Sequence, residues 1–184
     1  MRRRAFLGGL AAALTSAVPA LAAPTLYRTQ WGGIAQTHLW LKLAGIGEEA
    51  HVRFRTDDGR LLEDGVRRLS WTFRDWRDHD AAVWIDYRLF DVLAFIQTAA
   101  SLEAGAPAPL VVNSAYRTPR RNRTIEGAAR HSQHIVGRAA DLATPDLDVA
   151  ELARLADNAG AAGVGRYRRF VHVDVGREGR RWGF

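Results

Sequence analysis

His131-Ser-Gln-His134-Ile-Val-Gly137-Arg-Ala-Ala-Asp141, read together with Phe170-Val-His172-Val-Asp174, decides what kind of domain this chain builds. In the second stretch, strand alternation puts His172 and Asp174 on one face and Val171, Val173 and Val175 on the other. In the first, Asp141 sits inside Ala139-Ala140-Asp141-Leu142, a run apolar enough for a central strand. Unpaired polar groups in such places cost several kcal/mol each. Two imidazoles and a carboxylate at these spacings can form a three-ligand zinc site, and three protein ligands with an open position mark a catalytic rather than a structural zinc. Gly137 would let the backbone pass close to the ion. The competing reading makes His134 a loop histidine, Asp141 a turn cap, and His172 with Asp174 a surface pair; it requires three separate coincidences.

Working outward, Thr37–Leu43 and His51–Thr56 both alternate as strands do, and Gly45-Ile-Gly47 supplies a turn between them, so a β-hairpin is expected. The period then changes. Leu62, Val66, Leu69, Phe73 and Trp76 recur at spacings of three and four, which predicts an amphipathic helix. Asp86 reads as an N-cap for a second helix from Tyr87 to Leu102, ended by Gly105. Leu110–Asn113 is a short buried strand, residues 114–136 are loop-like, and Asp148–Ala159 is a third helix. Val164-Gly165 and Phe170–Val175 pair as strands, while residues 24–36 read as an irregular lead-in. The fold expected is α+β, a small antiparallel sheet with helices packed on one face. Trp71, Trp76 and Trp84 are expected in the core or between helices rather than as a sugar-stacking platform.

The 184 residues suit one domain. The formal charge of +6 is inflated by Arg2, Arg3 and Arg4; without them 23 basic residues face 20 acidic ones. So mild a balance argues against a nucleic-acid partner and is compatible with an acidic, carboxylate-bearing substrate. Arg3-Arg4-Ala5-Phe6-Leu7 fits a twin-arginine export pattern, followed by an apolar run from Leu7 to Val18 and a small-x-small cleavage site at Ala20-Leu21-Ala22. Residues 1–22 are therefore expected to be an export signal cleaved near Ala22, and 23–184 a single periplasmic domain with no stable membrane span. There is no cysteine, so neither disulfides nor a thiol nucleophile is available, and no Gly-x-Ser-x-Gly nucleophile elbow occurs. Nothing in the sequence fixes an oligomeric state.

The chain resembles a known family at this point. His134-x-x-Gly137-x-Ala139-x-Asp141 with a later strand His172 is similar to the zinc D-Ala-D-Ala carboxypeptidase, lysostaphin and hedgehog superfamily. Asn113-Ser-Ala-Tyr-Arg117-Thr, His131-Ser-Gln-His134, Gly163-Val-Gly165, Phe170-Val-His-Val-Asp174, Arg181-Trp182 and the upstream Leu69-x-x-Phe73-Arg-Asp75 together resemble the YcbK-type murein endopeptidases over roughly residues 37–183. The resemblance implies a hedgehog/D-Ala-D-Ala-peptidase-like fold and a zinc peptidase acting on peptidoglycan stem peptides or cross-bridges. It implies zinc ligands at His134, Asp141 and His172, a substrate-anchoring Arg117, and pocket residues Ser132 and Gln133. One departure stands out. Many superfamily members carry a general base two or three residues before the last ligand, where this chain has Phe170 and Arg169. Asp174 and His131 are the candidates for proton transfer, and Asp174 could instead orient His172. The alternatives are a non-catalytic wall-binding module with a structural zinc, and a carboxypeptidase trimming terminal D-alanine.

Overall fold

The lead-in is regular after all. In the computed structural model, which describes residues 25–30, 32–177 and 179–183, β1 (Leu26–Arg28) pairs antiparallel with β2 (Ile34–Gln36) as a separate two-stranded ribbon. The segment assigned to export, residues 1–22, lies outside the described residues.

The expected hairpin forms from β3 (His38–Leu43) and β4 (Glu49–Arg53), and along β3 every second residue is buried. Helix α1 (Glu63–Thr72) presses closely on β4: a Cβ at Gly65 would collide with the Arg53 carbonyl oxygen. The helix stops at Thr72, short of Trp76, and residues 73–82 become a loop closed by a bridge between Asp75 and Ala81. Helix α2 (Tyr87–Ala104) starts where Asp86 accepts the Arg88 amide and ends where Gly105 takes a left-handed φ of 67°. There follow β5 (Leu110–Ser114), the short α3 (Pro119–Asn122), a 3-10 turn over Gln133–Val136, and β6 (Ala139–Ala143). Helix α4 (Val149–Asn158) opens with a full capping box between Asp148 and Glu151. The chain closes with β7 (Gly163–Arg166), β8 (Val171–Asp174) and β9 (Arg180–Trp182).

Among the described residues seven strands make one sheet in the order β4-β3-β5-β6-β8-β7-β9. It is mixed, not antiparallel as the sequence reading has it. β5 returns parallel to β3 because two helices intervene, and β9 crosses past β8 to lie parallel to β7. Ala140, Leu142, Val164, Val171 and Val173 join Leu93, Ile96, Leu152 and Ala156 in one apolar core with α2 and α4. Strand alternation then delivers Asp141 and His172 to the face opposite this core. Two tryptophans depart from expectation: Trp71 is 54% exposed and Trp84 58%, so neither is a core residue. Trp76 is half-buried, with the Arg77 guanidinium 3.6 Å above its ring.

Candidate metal centre

The centre assembles at the middle of the sheet. Asp141 on β6 and His172 on β8 are direct cross-strand partners, and the 3-10 turn brings His134 onto them. The three side chains are buried, at 4%, 8% and 2% exposure. His134 Nε2 is 3.2 Å from Asp141 Oδ1 and 3.1 Å from His172 Nδ1, which is 3.0 Å from the same Asp141 oxygen.

The hydrogen bonds behind these atoms decide what the cluster can hold. The Nδ1–H of His134 donates to the Ala115 carbonyl at 2.5 Å, which leaves Nε2 with a lone pair facing inward. The Nε2–H of His172 donates to Asp174 Oδ2 at 3.1 Å, which leaves Nδ1 facing inward as an acceptor too. Asp141 Oδ1 is the third acceptor. Three lone pairs aimed at one small volume repel one another unless a cation sits among them. Tetrahedral zinc with bonds of 2.0–2.1 Å separates its ligand atoms by about 3.3 Å, close to the spacing here. The residues present therefore fit a zinc ion. Burial lowers the pKa of His134, keeping it in the neutral form a ligand requires. Burial opposes ionisation of Asp141, but His134, His172 and Arg117 outweigh it and hold the carboxyl well below the usual range. Burial also opposes charge on His172; its hydrogen bonds to Asp141 and Asp174 prevail and raise its pKa.

The supporting residues are as specific as the cluster. Asp174 is fully buried and spends both oxygens: Oδ2 on His172, and Oδ1 on the Gly176 amide at 2.8 Å and Arg180 Nη2 at 2.6 Å. This is the carboxylate–histidine arrangement that fixes the tautomer of a metal ligand. Arg117 donates from Nη2 to the second oxygen of Asp141 and from Nε to Ser114 Oγ at 2.8 Å. The guanidinium edge that would grip a substrate carboxylate is thus turned toward Asp141 and Ser114. Ser132 accepts the His134 amide and caps the 3-10 turn, with Gln133 beside it; the Gln133 Oε1 is buried and has no hydrogen-bond partner among the described residues. His131 is exposed and outside the cluster. Gly137 packs against the Trp84 carbonyl and Val83, and its φ of 66° ends the 3-10 turn.

Several contributors were not recognised in the sequence. A Cβ at Gly163 would collide with Asp174 Oδ2, and one at Gly165 with the Trp182 indole. Both glycines and Trp182 stood in the quoted motif, yet only their three-dimensional neighbours give the reason. The Trp182 ring lies 5.2 Å from that of His172, and its Nε1–H donates to the Tyr167 hydroxyl at 3.1 Å. Asp75 and Asp78 hold the segment that carries Arg117. Asp75 accepts the Thr118 amide at 3.0 Å and pairs with Arg121 at 3.3 Å, and Asp78 takes the Thr118 hydroxyl and Arg120. Asp75 was legible as part of Leu69-x-x-Phe73-Arg-Asp75, but not its partner.

A family model described as Peptidoglycan L,D-endopeptidase MepK (Peptidase_M15_2) matches residues 34–182. Proteins named Peptidoglycan L,D-endopeptidase MepK from Escherichia coli strain K12 and from Shigella flexneri are each 31% identical to this chain over 142 residues, covering 74% of it and 74% of their own length. The stretch matched spans all three clustered side chains and the loop bearing Arg117. The chain belongs to the Peptidase_M15_2 family.

Proposed function

We propose that this chain is an exported, zinc-dependent murein endopeptidase that hydrolyses an amide bond in the stem peptides or cross-bridges of peptidoglycan. The observation that carries the reading is the convergence of His134 Nε2, Asp141 Oδ1 and His172 Nδ1, each with its proton directed elsewhere or absent. The relatives' name, an L,D-endopeptidase of peptidoglycan, favours an internal bond between an L- and a D-centre over trimming of a terminal D-alanine. Export is supported by the Arg3-Arg4 signal, with cleavage near Ala22 and a periplasmic destination. Among the described residues no helix is long and apolar enough to cross a membrane.

Zinc bound by His134, Asp141 and His172 would polarise the scissile carbonyl and acidify the attacking water. The protein's own groups do the rest. Asp174 holds His172 in the tautomer that presents Nδ1, and we assign it that role rather than proton transfer, because both its oxygens are engaged. Arg117 neutralises the outer oxygen of Asp141 and leaves Oδ1 for the metal. Of the two residues considered for proton transfer, His131 is the exposed one.

The test is mass spectrometry of muropeptides from purified sacculi incubated with zinc-loaded protein, chelator-treated protein and the His134→Ala variant. New fragments that require zinc and His134 support catalysis, and their masses name the bond. If all three samples give the same muropeptides while the protein still pellets with sacculi, the chain is a wall-binding module with a structural metal.

A further inference from the structure

An aromatic row leads from the metal centre to the tip of the β7–β8 hairpin. Gly165 is the cross-strand partner of both His172 on β8 and Trp182 on β9, so these three positions share the sheet face that carries the cluster. The Trp182 indole fills the space above Gly165 and lies 5.2 Å from the His172 ring, centroid to centroid. Its Nε1–H donates to the Tyr167 hydroxyl at 3.1 Å. Tyr167 is stacked in turn on Phe170, with ring centroids 4.5 Å apart and planes 13° from parallel. Its amide donates to the Phe170 carbonyl at 3.0 Å, which closes the hairpin. These contacts place the Tyr167 hydroxyl on the metal side of the sheet. Tyr167 also has bonding capacity to spare. It is 45% exposed, and its hydroxyl accepts the indole proton but donates its own to no acceptor among the described residues.

We propose that Tyr167 is a substrate-binding residue whose hydroxyl, held by Trp182, donates to a carbonyl oxygen of the peptide flanking the scissile bond. The proposal rests on the murein-peptidase reading, which supplies the peptide. It adds a donor on the β7 side of the centre. On the β5 side Arg117 is committed to Asp141 and Ser114, whereas the Tyr167 proton is committed to nothing. The indole N–H fixes where the hydroxyl oxygen sits and polarises its O–H bond, which makes the remaining proton a stronger donor than that of a free phenol. A single donor at a fixed spot suits a peptide, which offers a carbonyl at every residue. It suits a sugar less, because Phe170 already covers one face of the ring on which a sugar would stack. Position 170 gains a purpose as well: the stacked ring there holds the Tyr167 side chain in place.

The test compares the wild type with Tyr167→Phe, which removes one exposed oxygen and keeps the stacked ring. The probes are a synthetic stem tetrapeptide and the same peptide carried on its disaccharide. Each is titrated calorimetrically into chelator-treated protein and assayed for cleavage by the zinc-loaded protein. We expect Tyr167→Phe to bind both probes roughly fivefold more weakly and to raise KM by the same factor, with kcat, zinc affinity and Tm nearly unchanged. Unchanged binding overturns the proposal. A loss confined to the disaccharide probe also overturns it, because the hydroxyl would then meet the sugar. A fall in zinc affinity, or in kcat at constant KM, would make Tyr167 a support of the metal centre and overturn it equally. If the wild type cleaves neither probe, the catalytic reading fails, while the calorimetric difference between the two proteins still decides the role of Tyr167.

Discussion

Asp174 meets His172 from the side of the ring opposite Asp141: Oδ2 lies 3.1 Å from Nε2, while Nδ1 lies 3.0 Å from Asp141 Oδ1. The imidazole is thus gripped between two carboxylates, one holding a proton in place and one sharing the space a cation would take. Asp174→Asn keeps the volume and loses the charge that fixes the tautomer. We expect zinc affinity to fall about 10- to 100-fold, read by competition with a chelating fluorophore. An unchanged affinity would show that Arg180 and Gly176, not the metal ligand, are the reason for Asp174.

Metal removal is the second prediction. Three acceptors forced together favour the native state only when a cation joins them. Zinc at a hundred times its dissociation constant should stabilise the fold by about 2.7 kcal/mol, raising Tm by roughly 5–10 °C in a domain of this size. Differential scanning calorimetry with zinc and with chelator checks this. The His134→Ala protein should melt at one temperature in both buffers.

The glycines of β7 make a third case. Gly163→Ala would press a methyl group onto the Asp174 carboxylate, and Gly165→Ala onto the Trp182 ring. Each substitution is expected to destabilise by about 1–3 kcal/mol in urea unfolding. Gly163→Ala should weaken zinc binding as well, because it displaces the carboxylate that orients His172.

Asp78 gives a pH-dependent prediction. Its hydrogen bonds with Arg120 and Thr118 hold the carboxyl down at about 2, against an ordinary aspartate value of about 3.9. A depressed pKa contributes stability that is complete above the ordinary value and disappears as pH falls toward 2. Asp78→Asn should therefore be less stable than the wild type at neutral pH, with the two unfolding curves converging between about pH 4 and pH 2. Curves separated by a constant amount down to pH 2 would sink this account.

How much of this was readable in advance differs by element. The helix over Tyr87–Ala104 was visible because both its signals are local: an Asp86 cap and a Gly105 stop. The same is true of the β3–β4 hairpin and of the strand bearing His172. The parallel pairings of β5 and β9 were not visible, since alternation specifies which face a residue takes but not which neighbour the strand chooses. Trp71 sits two residues from both Leu69 and Phe73, on the side of α1 away from the buried row, and stands in solvent with the Arg74 guanidinium 4.9 Å over its ring; grouping it with the core tryptophans ignored that phase. Within the site, the three clustering residues could be named from chemistry. Their supports could not, because Ala115 offers only a carbonyl, Gly163 only space, and Asp75 acts through Thr118.

The two glycines facing Asp174 and Trp182 carry a lesson about transplanting such a centre. A designer who copied His134, Asp141 and His172 onto another sheet would reproduce every donor atom and still fail. The carboxylate and the indole that hold the last imidazole need a neighbouring strand with nothing protruding from it. In this protein two vacant positions are as much part of the working inventory as any reactive group, and a search for reactive groups alone passes over them.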